Sequence, residues 1–431
     1  MNVHRDPEHK GDKTPGMVIQ RNTPHLFGQG AMQLLAEEMT TDLKGIYNST
    51  VDKACTSSTK EAEADLVTKG VKFGHLALSC ANGKVVRDDS KTKVSGIKPD
   101  LVIRPFEWKK SVAFVRDFVR GASHNEIGMQ ATEIVGMDKD GDGDGVKNEL
   151  TVGDLTVFAI YMAAQPRPTT KVELNQYGLL DKKLSQEELS QIDRGEKLFG
   201  KEGADCASCH RPELTLKNTI FTEPSQSEFH RDTKKDLAAG NVALDMEAEG
   251  VLPGKAITFD LAKDIPDNLL QINGKETHLG NLDKNNKGEP VARLYSDLMR
   301  HYMGDQLAEG IVESGTGLMG MVPYDLKNAL LKYYDDEKSE REEQATFGTK
   351  ELWGVACTGP WLHDGRATTL REAIMLHGGE AEASRNAFAK LDESGQKNLV
   401  AFLGNQVLYM KKAEDSETPK LSPDCELQEL L

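Results

Sequence analysis

Long apolar runs are missing from this chain of 431 residues, so we expect no membrane span. The first residues, from Met1 to Gly16, are polar and charged and lack the apolar core of a signal peptide. Basic residues are also in short supply, at 53 Lys and Arg against 69 Asp and Glu. Nucleic acid and anionic membrane surfaces are therefore expected to be poor partners, because both attract basic proteins. The length allows two or three domains.

Cysteine is scarce as well, with six residues in the whole chain. Two of them belong to Cys206-Ala-Ser-Cys209-His210, a complete C-x-x-C-H motif. Two thiols at this spacing lie on one side of a helical turn, where they can form thioethers with the two vinyl groups of one porphyrin. His210 then projects under the ring and can ligate the iron. The sequence therefore predicts one covalent haem c in this chain.

Two other interpretations of the motif lack the residues that they need. A zinc site requires further paired Cys or His ligands at finger spacing, and none lie nearby. A redox C-x-x-C requires a thioredoxin-like βαβ context, which the flanking sequence does not predict. Of the remaining cysteines, Cys55 and Cys80 could form a disulfide in an oxidising compartment, a pairing that the sequence leaves open.

The second axial position of the iron must be filled from elsewhere or left open. The sequence offers five candidates and does not choose among them: His301, Met303, His363, Met375 and His377. Arg366, in the turn His363-Asp364-Gly365-Arg366, has the planar guanidinium that suits haem propionates. An Asp–Arg pair that stabilises a buried turn is the equally weighted alternative for Arg366.

The helical pattern divides the chain at Gln165-Pro-Arg-Pro-Thr-Thr170, whose two prolines break any helix. We expect an N-terminal domain over 1–164, a linker over 165–184, a haem domain over 185–411 and a polar tail over 412–431. Predicted helices cover 29–48, 108–120, 155–163, 370–376 and 396–408, and short strands are expected at 71–79 and 101–103. Ser185 and Glu188 form a capping box for a helix that runs into the haem motif. The predicted fold is mainly α: a class I cytochrome c-like C-terminal domain with a long insertion at about 215–350, preceded by a partial N-terminal cytochrome-like domain.

Three segments carry a resemblance to a known family: Phe221-Thr-Glu-Pro-Ser-Gln226, Glu351-Leu-Trp-Gly354, and Trp361-Leu-His-Asp-Gly-Arg-Ala-Thr-Thr-Leu370 leading to His377-Gly-Gly-Glu-Ala381. Further matches are Asn22-Thr-Pro-His-Leu-Phe-Gly28, Gly128-Met129-Gln130 and Asn148-Glu-Leu-Thr-Val-Gly-Asp154. Together they resemble the bacterial di-haem oxidoreductases, which are related to the di-haem cytochrome c peroxidases. The resemblance extends from about Arg21 to about Tyr409.

The resemblance implies an extracytoplasmic, periplasmic oxidoreductase that exchanges electrons with redox partner proteins and reduces hydrogen peroxide in a di-haem form. In the related peroxidases, a Met-Gly at the end of a short helix supplies the distal ligand of the C-terminal haem. Here that helix ends in His377-Gly378, so the resemblance implies that His377 takes the place of the Met, with Met303 as the second choice. A non-catalytic electron carrier with a single haem is the alternative function.

One departure from the family concerns its first C-x-x-C-H, which is expected upstream of Asn22 and is not found there. We expect that a signal sequence and this motif precede Met1 in a longer protein. The alternative is a true single-haem descendant.

An aspartate-rich loop runs from Asp138 to Glu149. Positions 1, 3, 5, 7 and 12 of a calcium-binding loop are occupied by Asp138, Asp140, Asp142, Asp144 and Glu149. Calcium prefers six to eight oxygen ligands, and clustered carboxylates repel one another without a cation. A register that starts at Asp140 is ranked second, because it places Thr151 at position 12. The sequence thus predicts a structural calcium site, with a solvated acidic turn as the alternative.

Overall fold

A computed structural model describes residues 2–3, 20–227, 256–265, 269–272, 274–309 and 342–409. Its α-helices, in chain order, are α1 (Gln29–Thr56), α2 (Val115–Ala122), α3 (Thr132–Val135), α4 (Val152–Ala163), α5 (Lys171–Tyr177), α6 (Gln186–Phe199), α7 (Leu370–Met375), α8 (Glu382–Lys390) and α9 (Glu393–Leu403). Single turns of 3₁₀-helix lie at Cys206–Ser208, Asp305–Leu307, Val355–Cys357 and Gly379–Ala381, and a π-helical turn lies at Ser123–Ile127. Within the described part of the chain, no helix is long and apolar enough to cross a membrane.

Side-chain caps explain where several helices begin. Ser185 accepts a hydrogen bond from Glu188 N, and the Glu188 carboxylate accepts one from Ser185 N, which is the predicted capping box of α6. Thr369 and Glu372 form the same reciprocal pair at the start of α7. The predicted helix at 108–120 begins only at Val115, because Glu107 and Lys110 adopt positive φ angles of 65° and 49° in a turn.

The strands are β1 (Asn2–Val3), β2 (Gln20–Arg21), β3 (Glu61–Thr68), β4 (Val71–Ala81), β5 (Lys84–Arg87), β6 (Lys93–Val94), β7 (Thr169–Thr170), β8 (Leu214–Thr215), β9 (Ile220–Glu223), β10 (Ile257–Asp260), β11 (Leu269–Ile272), β12 (Lys275–His278), β13 (Asp283–Lys284), β14 (Pro290–Ala292), β15 (Arg300–Tyr302), β16 (Thr346–Gly348) and β17 (Gln406–Val407). β3, β4, β5 and β6 form a four-stranded antiparallel sheet, and β13, β14 and β8 form a three-stranded sheet. The other strands form two-stranded pairs.

The prediction of a mainly α chain with cytochrome c-like domains is therefore wrong, because helices alternate with several small sheets. The physical reason is visible in β3 and β4. Apolar residues alternate there with polar ones, and one face packs on α1 while the other meets water. The predicted strand at 101–103 does not form, since Leu101 has a positive φ of 59°. Cys55, at the end of α1, forms a disulfide with Cys80 on β4.

The largest apolar core joins residues from the whole length of the described chain. It packs α1, β4 and α4 against side chains that follow the haem motif, such as Phe221, Leu294 and Trp353. A second core, around Phe199, Phe388 and Phe402, joins α6, α8 and α9. Residues 165–169, at the start of the predicted linker, are buried, and β7 pairs with β17 near the end of the described chain.

Candidate haem-binding site

A cavity of about 220 Å³ lies beside the second core. It is lined by Cys206, Cys209, His210 and His377, the four residues for which the sequence predicts haem attachment and iron ligation. Its apolar wall is formed by Phe199, Trp361, Leu370, Ile374, Leu399 and Leu403. Two thiols and two imidazoles thus share one apolar chamber, which is the donor set that a c-type haem requires.

His210 is placed by the turn that follows α6. Asp205 adopts a positive φ of 52°, and the 3₁₀ turn Cys206–Ser208 then carries the chain to His210 N, which donates a hydrogen bond to the Cys206 carbonyl. The imidazole Nδ1 lies 3.0 Å from the Tyr295 carbonyl oxygen. A carbonyl oxygen only accepts, so Nδ1 carries the proton and Nε2 keeps its lone pair for a metal.

His377 has the same arrangement on the facing wall. It follows α7, and its Nδ1 donates to the Ala373 carbonyl oxygen at 2.7 Å, which again leaves the Nε2 lone pair free. The centres of the His210 and His377 rings are 6.5 Å apart. Two metal–nitrogen bonds of about 2 Å, plus about 1 Å from each nitrogen to its ring centre, give roughly 6 Å for two imidazoles on one metal. The spacing of the two rings therefore fits a shared iron.

Burial keeps both imidazoles neutral. Loss of hydration lowers the pKa of His210 to about 4, and the neighbouring His377 adds to this effect. Burial also lowers the pKa of His377. Neutral imidazole is the form that binds metals, so no proton has to leave before ligation near neutral pH.

The Cys206 thiol does not resemble that of a redox site. Burial raises the pKa of this thiol to about 12, whereas thiols that exchange disulfides have a lowered pKa. Cys209, Asp297 and His301 bring one ligand atom each within 4.8 Å of one another, which is a geometric metal set. Both ring nitrogens of His301 are, however, bonded to carboxylates, Nε2 to Asp297 at 2.9 Å and Nδ1 to Glu380 at 2.8 Å. Burial opposes its protonation, yet the hydrogen bonds to Asp297, Cys209 and Glu380 raise the pKa of His301 to about 12, and both ring nitrogens are already engaged by carboxylates.

The other candidates for the sixth position are placed differently. Met303 and His363 line the cavity, and His363 stacks on Phe347 with ring centres 4.2 Å apart. Met375 packs in the second core and is not among the lining residues. His377 is the candidate whose ring faces His210.

Arg366 does not line the cavity. Its guanidinium bonds to Asp364 at 2.5 Å and donates to the Gln306 carbonyl oxygen at 2.6 Å, which is the turn-stabilising alternative. Arg385 on α8 is a lining residue instead, with its guanidinium 2.7 Å from Glu382. The sequence offered no signal for Arg385, because an arginine three residues after a glutamate is common on exposed helices.

In the aspartate loop, the carboxylates of Asp140, Asp142 and Asp144 lie within 4.8 Å of one another. These are positions 1, 3 and 5 of the register that starts at Asp140. Asp138 instead exchanges hydrogen bonds with the Asn148 side chain, and Glu149 accepts one from Gln130 N. The backbone N–H groups of Gly143 and Gly145 donate to Asp140, so the loop is also ordered by its own hydrogen bonds.

Comparison with known proteins finds one family match. Residues 320–406 match the family described as "Di-haem oxidoreductase, putative peroxidase", and the structure describes 342–406 of this range. A crystal structure of a "MauG-like protein associated with microbial copper homeostasis" aligns with a TM-score of 0.31 and 13% identity, covering 92% of this chain and 95% of that one. No curated protein matches the chain. The segment that carries the family match includes His377, and it confirms the resemblance of this chain to the di-haem oxidoreductases.

Proposed function

We propose that this chain is an extracytoplasmic c-type haem oxidoreductase that transfers electrons, with peroxidase-type activity in a di-haem form. In this proposal Cys206 and Cys209 attach one haem, and His210 and His377 are its axial ligands. The supporting observation is the pair of facing imidazoles, 6.5 Å apart, each with Nδ1 bonded to a backbone carbonyl. When bound, haem iron supplies one-electron oxidation and reduction.

The chain's own residues hold and tune that group. The Tyr295 and Ala373 carbonyls fix both imidazole tautomers and orientations. Apolar side chains such as Phe199 and Leu403 exclude water from the ring faces. With His210 and His377 holding the iron, these residues would favour electron transfer, and we assign peroxide reduction to a second haem.

The attachment is tested by expressing the chain with a periplasmic cytochrome c maturation system. We expect a haem-stained band on denaturing electrophoresis that survives acid acetone extraction, and loss of this band in a Cys206→Ser, Cys209→Ser double variant. A band that loses its haem on extraction would show that the group is not covalent.

The ligand assignment is tested with two variants of His377. His377→Met should keep a low-spin spectrum and raise the reduction potential, because thioether sulfur raises the potential of a haem relative to imidazole. His377→Ala should open the site to carbon monoxide and cyanide. Unchanged spin state and potential in His377→Ala would show that another residue, with Met303 next to test, is the ligand.

A single-haem electron carrier is the second candidate function, and the facing histidines favour it, because a closed iron offers no place for peroxide. The two candidates separate in one assay. A chain that exchanges electrons with a partner cytochrome but does not consume hydrogen peroxide is a carrier, whereas sustained peroxide consumption supports the enzyme.

The location and the calcium site are part of the same proposal. The Cys55–Cys80 disulfide supports an oxidising, periplasmic compartment, where disulfides persist. We assign calcium to Asp140, Asp142 and Asp144, whose carboxylates converge, rather than to Asp138 and Glu149.

A further inference from the structure

A short segment lines part of the cavity and contacts the loop that carries His377. It comprises β15 (Arg300–Tyr302) and the 3₁₀ turn Asp305–Leu307, and we call residues 300–307 the clasp. His301, Met303 and Leu307 of the clasp line the cavity. The clasp therefore touches both the chamber and the facing loop.

Four hydrogen bonds join the clasp to the residues around His377. Gly378 N donates to the Met303 carbonyl oxygen at 3.1 Å, and the Gln306 side chain donates to the Leu376 carbonyl oxygen at 2.9 Å. The Glu380 carboxylate accepts from Tyr302 N at 3.0 Å through one oxygen and contacts His301 Nδ1 at 2.8 Å through the other. These bonds lie on both sides of His377 in the sequence.

Two glycines allow this close approach. A Cβ on Gly379, where φ is +52°, would lie 2.2 Å from the Tyr302 carbonyl oxygen. A Cβ on Gly378 would lie 2.9 Å from the Met303 carbonyl oxygen. The Gly-Gly that follows His377 thus has a steric reason, since a side chain at either position would push the loop off the clasp.

The contact between Glu380 and His301 is anchored in the protein interior. His301 Nε2 bonds to Asp297, whose side chain is 4% exposed, and Asp297 also accepts a hydrogen bond from Met299 N. Glu380 itself is 56% exposed, so the outer end of this series of contacts meets solvent.

His377 follows a helix of only six residues, and such a short helix alone gives weak support for a ligand.

We propose that the clasp, through the Glu380–His301 contact, holds His377 in its ligating position and so controls whether the sixth position of the iron is closed. Glu380 and His301 are positioning residues in this proposal, which rests on the proposed function because it requires His377 to be a ligand. Residues that orient a metal-bound histidine typically change metal affinity by about 10- to 100-fold when they are removed.

The test uses the haem-loaded protein and the exposed residue Glu380, whose replacement should not prevent folding. Glu380→Ala removes both contacts with the clasp. Glu380→Gln keeps one acceptor oxygen and so retains only one of the two contacts, because its NH2 group would face the other donor. Glu393→Ala is the control, because the exposed Glu393 carboxylate pairs with Lys397 on its own helix and neither residue lines the cavity. The readouts are the spin state of the ferric protein and the affinity of the ferrous protein for carbon monoxide.

We expect Glu380→Ala to bind carbon monoxide about 10- to 100-fold more tightly than the wild type and to show a high-spin ferric fraction. Glu380→Gln should lie between Glu380→Ala and the wild type, and Glu393→Ala should match the wild type. If His377→Ala changes the spectrum but Glu380→Ala does not, the clasp proposal is wrong while the ligand assignment stands. If His377→Ala leaves the spectrum unchanged, the ligand assignment fails first and the clasp proposal falls with it.

Discussion

The crossing of α6 and α9 depends on a single glycine, and replacing it should loosen the haem chamber. A Cβ on Gly195 of α6 would lie 1.9 Å from the Asn398 carbonyl oxygen and 2.8 Å from Phe402 Cβ on α9. The opposing atoms include helix backbone, which cannot rotate away, so the two helices must move apart. Phe199 lines the cavity at the end of α6, and Leu403 does so at the end of α9, so the separation reaches the chamber.

The net effect of Gly195→Ala follows from two opposing contributions. Alanine gains about 1 kcal/mol over glycine inside a helix. Overpacking costs about 1–3 kcal/mol, and more where the neighbours cannot yield. Because backbone atoms are the obstacle, we expect the free energy of unfolding to fall by about 2 kcal/mol overall.

Urea unfolding followed by circular dichroism measures this change, and the Soret band of the loaded protein reports on the chamber. Gly45→Ala on α1 is the control, since no atom lies within 4 Å of its Cβ. That variant should be more stable by about 0.4–1 kcal/mol, because alanine restricts the unfolded chain. If Gly195→Ala were as stable as Gly45→Ala, the proposed contact between the two helices would not exist in solution.

Two further predictions concern buried and clustered carboxylates. Burial raises the pKa of Glu223 from 4.5 to about 7, and Arg116 opposes this shift. The protonated carboxyl therefore stabilises the fold fully below pH 4.5, and this contribution is lost as the pH rises through 7. Glu223→Gln, which mimics the protonated form, is the reference. Between pH 4.5 and pH 7 the free energy of unfolding of the wild type, measured in urea, should fall by about 3 kcal/mol relative to this variant. Parallel stability curves for the two proteins would contradict the shift in pKa. In the aspartate loop, Asp142→Asn should reduce the rise in melting temperature that calcium gives and chelator removes. A metal-free wild type that melts identically with calcium and with chelator would rule the site out.

Features encoded by neighbouring residues could be predicted from the sequence. The Ser185–Glu188 capping box and the C-x-x-C-H motif each lie within a few residues of chain, and their local geometry follows from that spacing. The sequence does not decide whether Cys55 and Cys80 form a disulfide, because this pairing depends on how α1 and β4 meet. The fold class was wrong for a related reason: short strands in a Gly- and Asp-rich region depend on partners that propensity does not identify.

The clasp could not be predicted, because its contacts join distant parts of the sequence. Glu380 and His301 are separated by 79 residues, and Tyr295 and His210 by 85. No periodicity or motif connects such positions. The same is true of residues 165–169, whose prolines predict a break in the helix correctly but say nothing about the pairing of β7 with β17.

Under the proposed ligand assignment, the choice between electron transfer and reaction with peroxide would depend on the strength of the bond between His377 and the haem iron. The Ala373 carbonyl makes the His377 ring a better donor by sharing its Nδ1 proton, which favours a closed site. The apolar chamber acts in the same direction. An imidazole that left the iron would need water or a proton at its free nitrogen, and burial, which lowers the pKa of His377, opposes both. In the clasp proposal, the Glu380–His301 contact acts in the same direction, but its outer carboxylate is exposed. A partner protein that engages Glu380 would therefore act on the ligand without entering the chamber. The proposed ligand pair would make electron transfer the resting function, and in the clasp proposal access to the iron would require the clasp to open first.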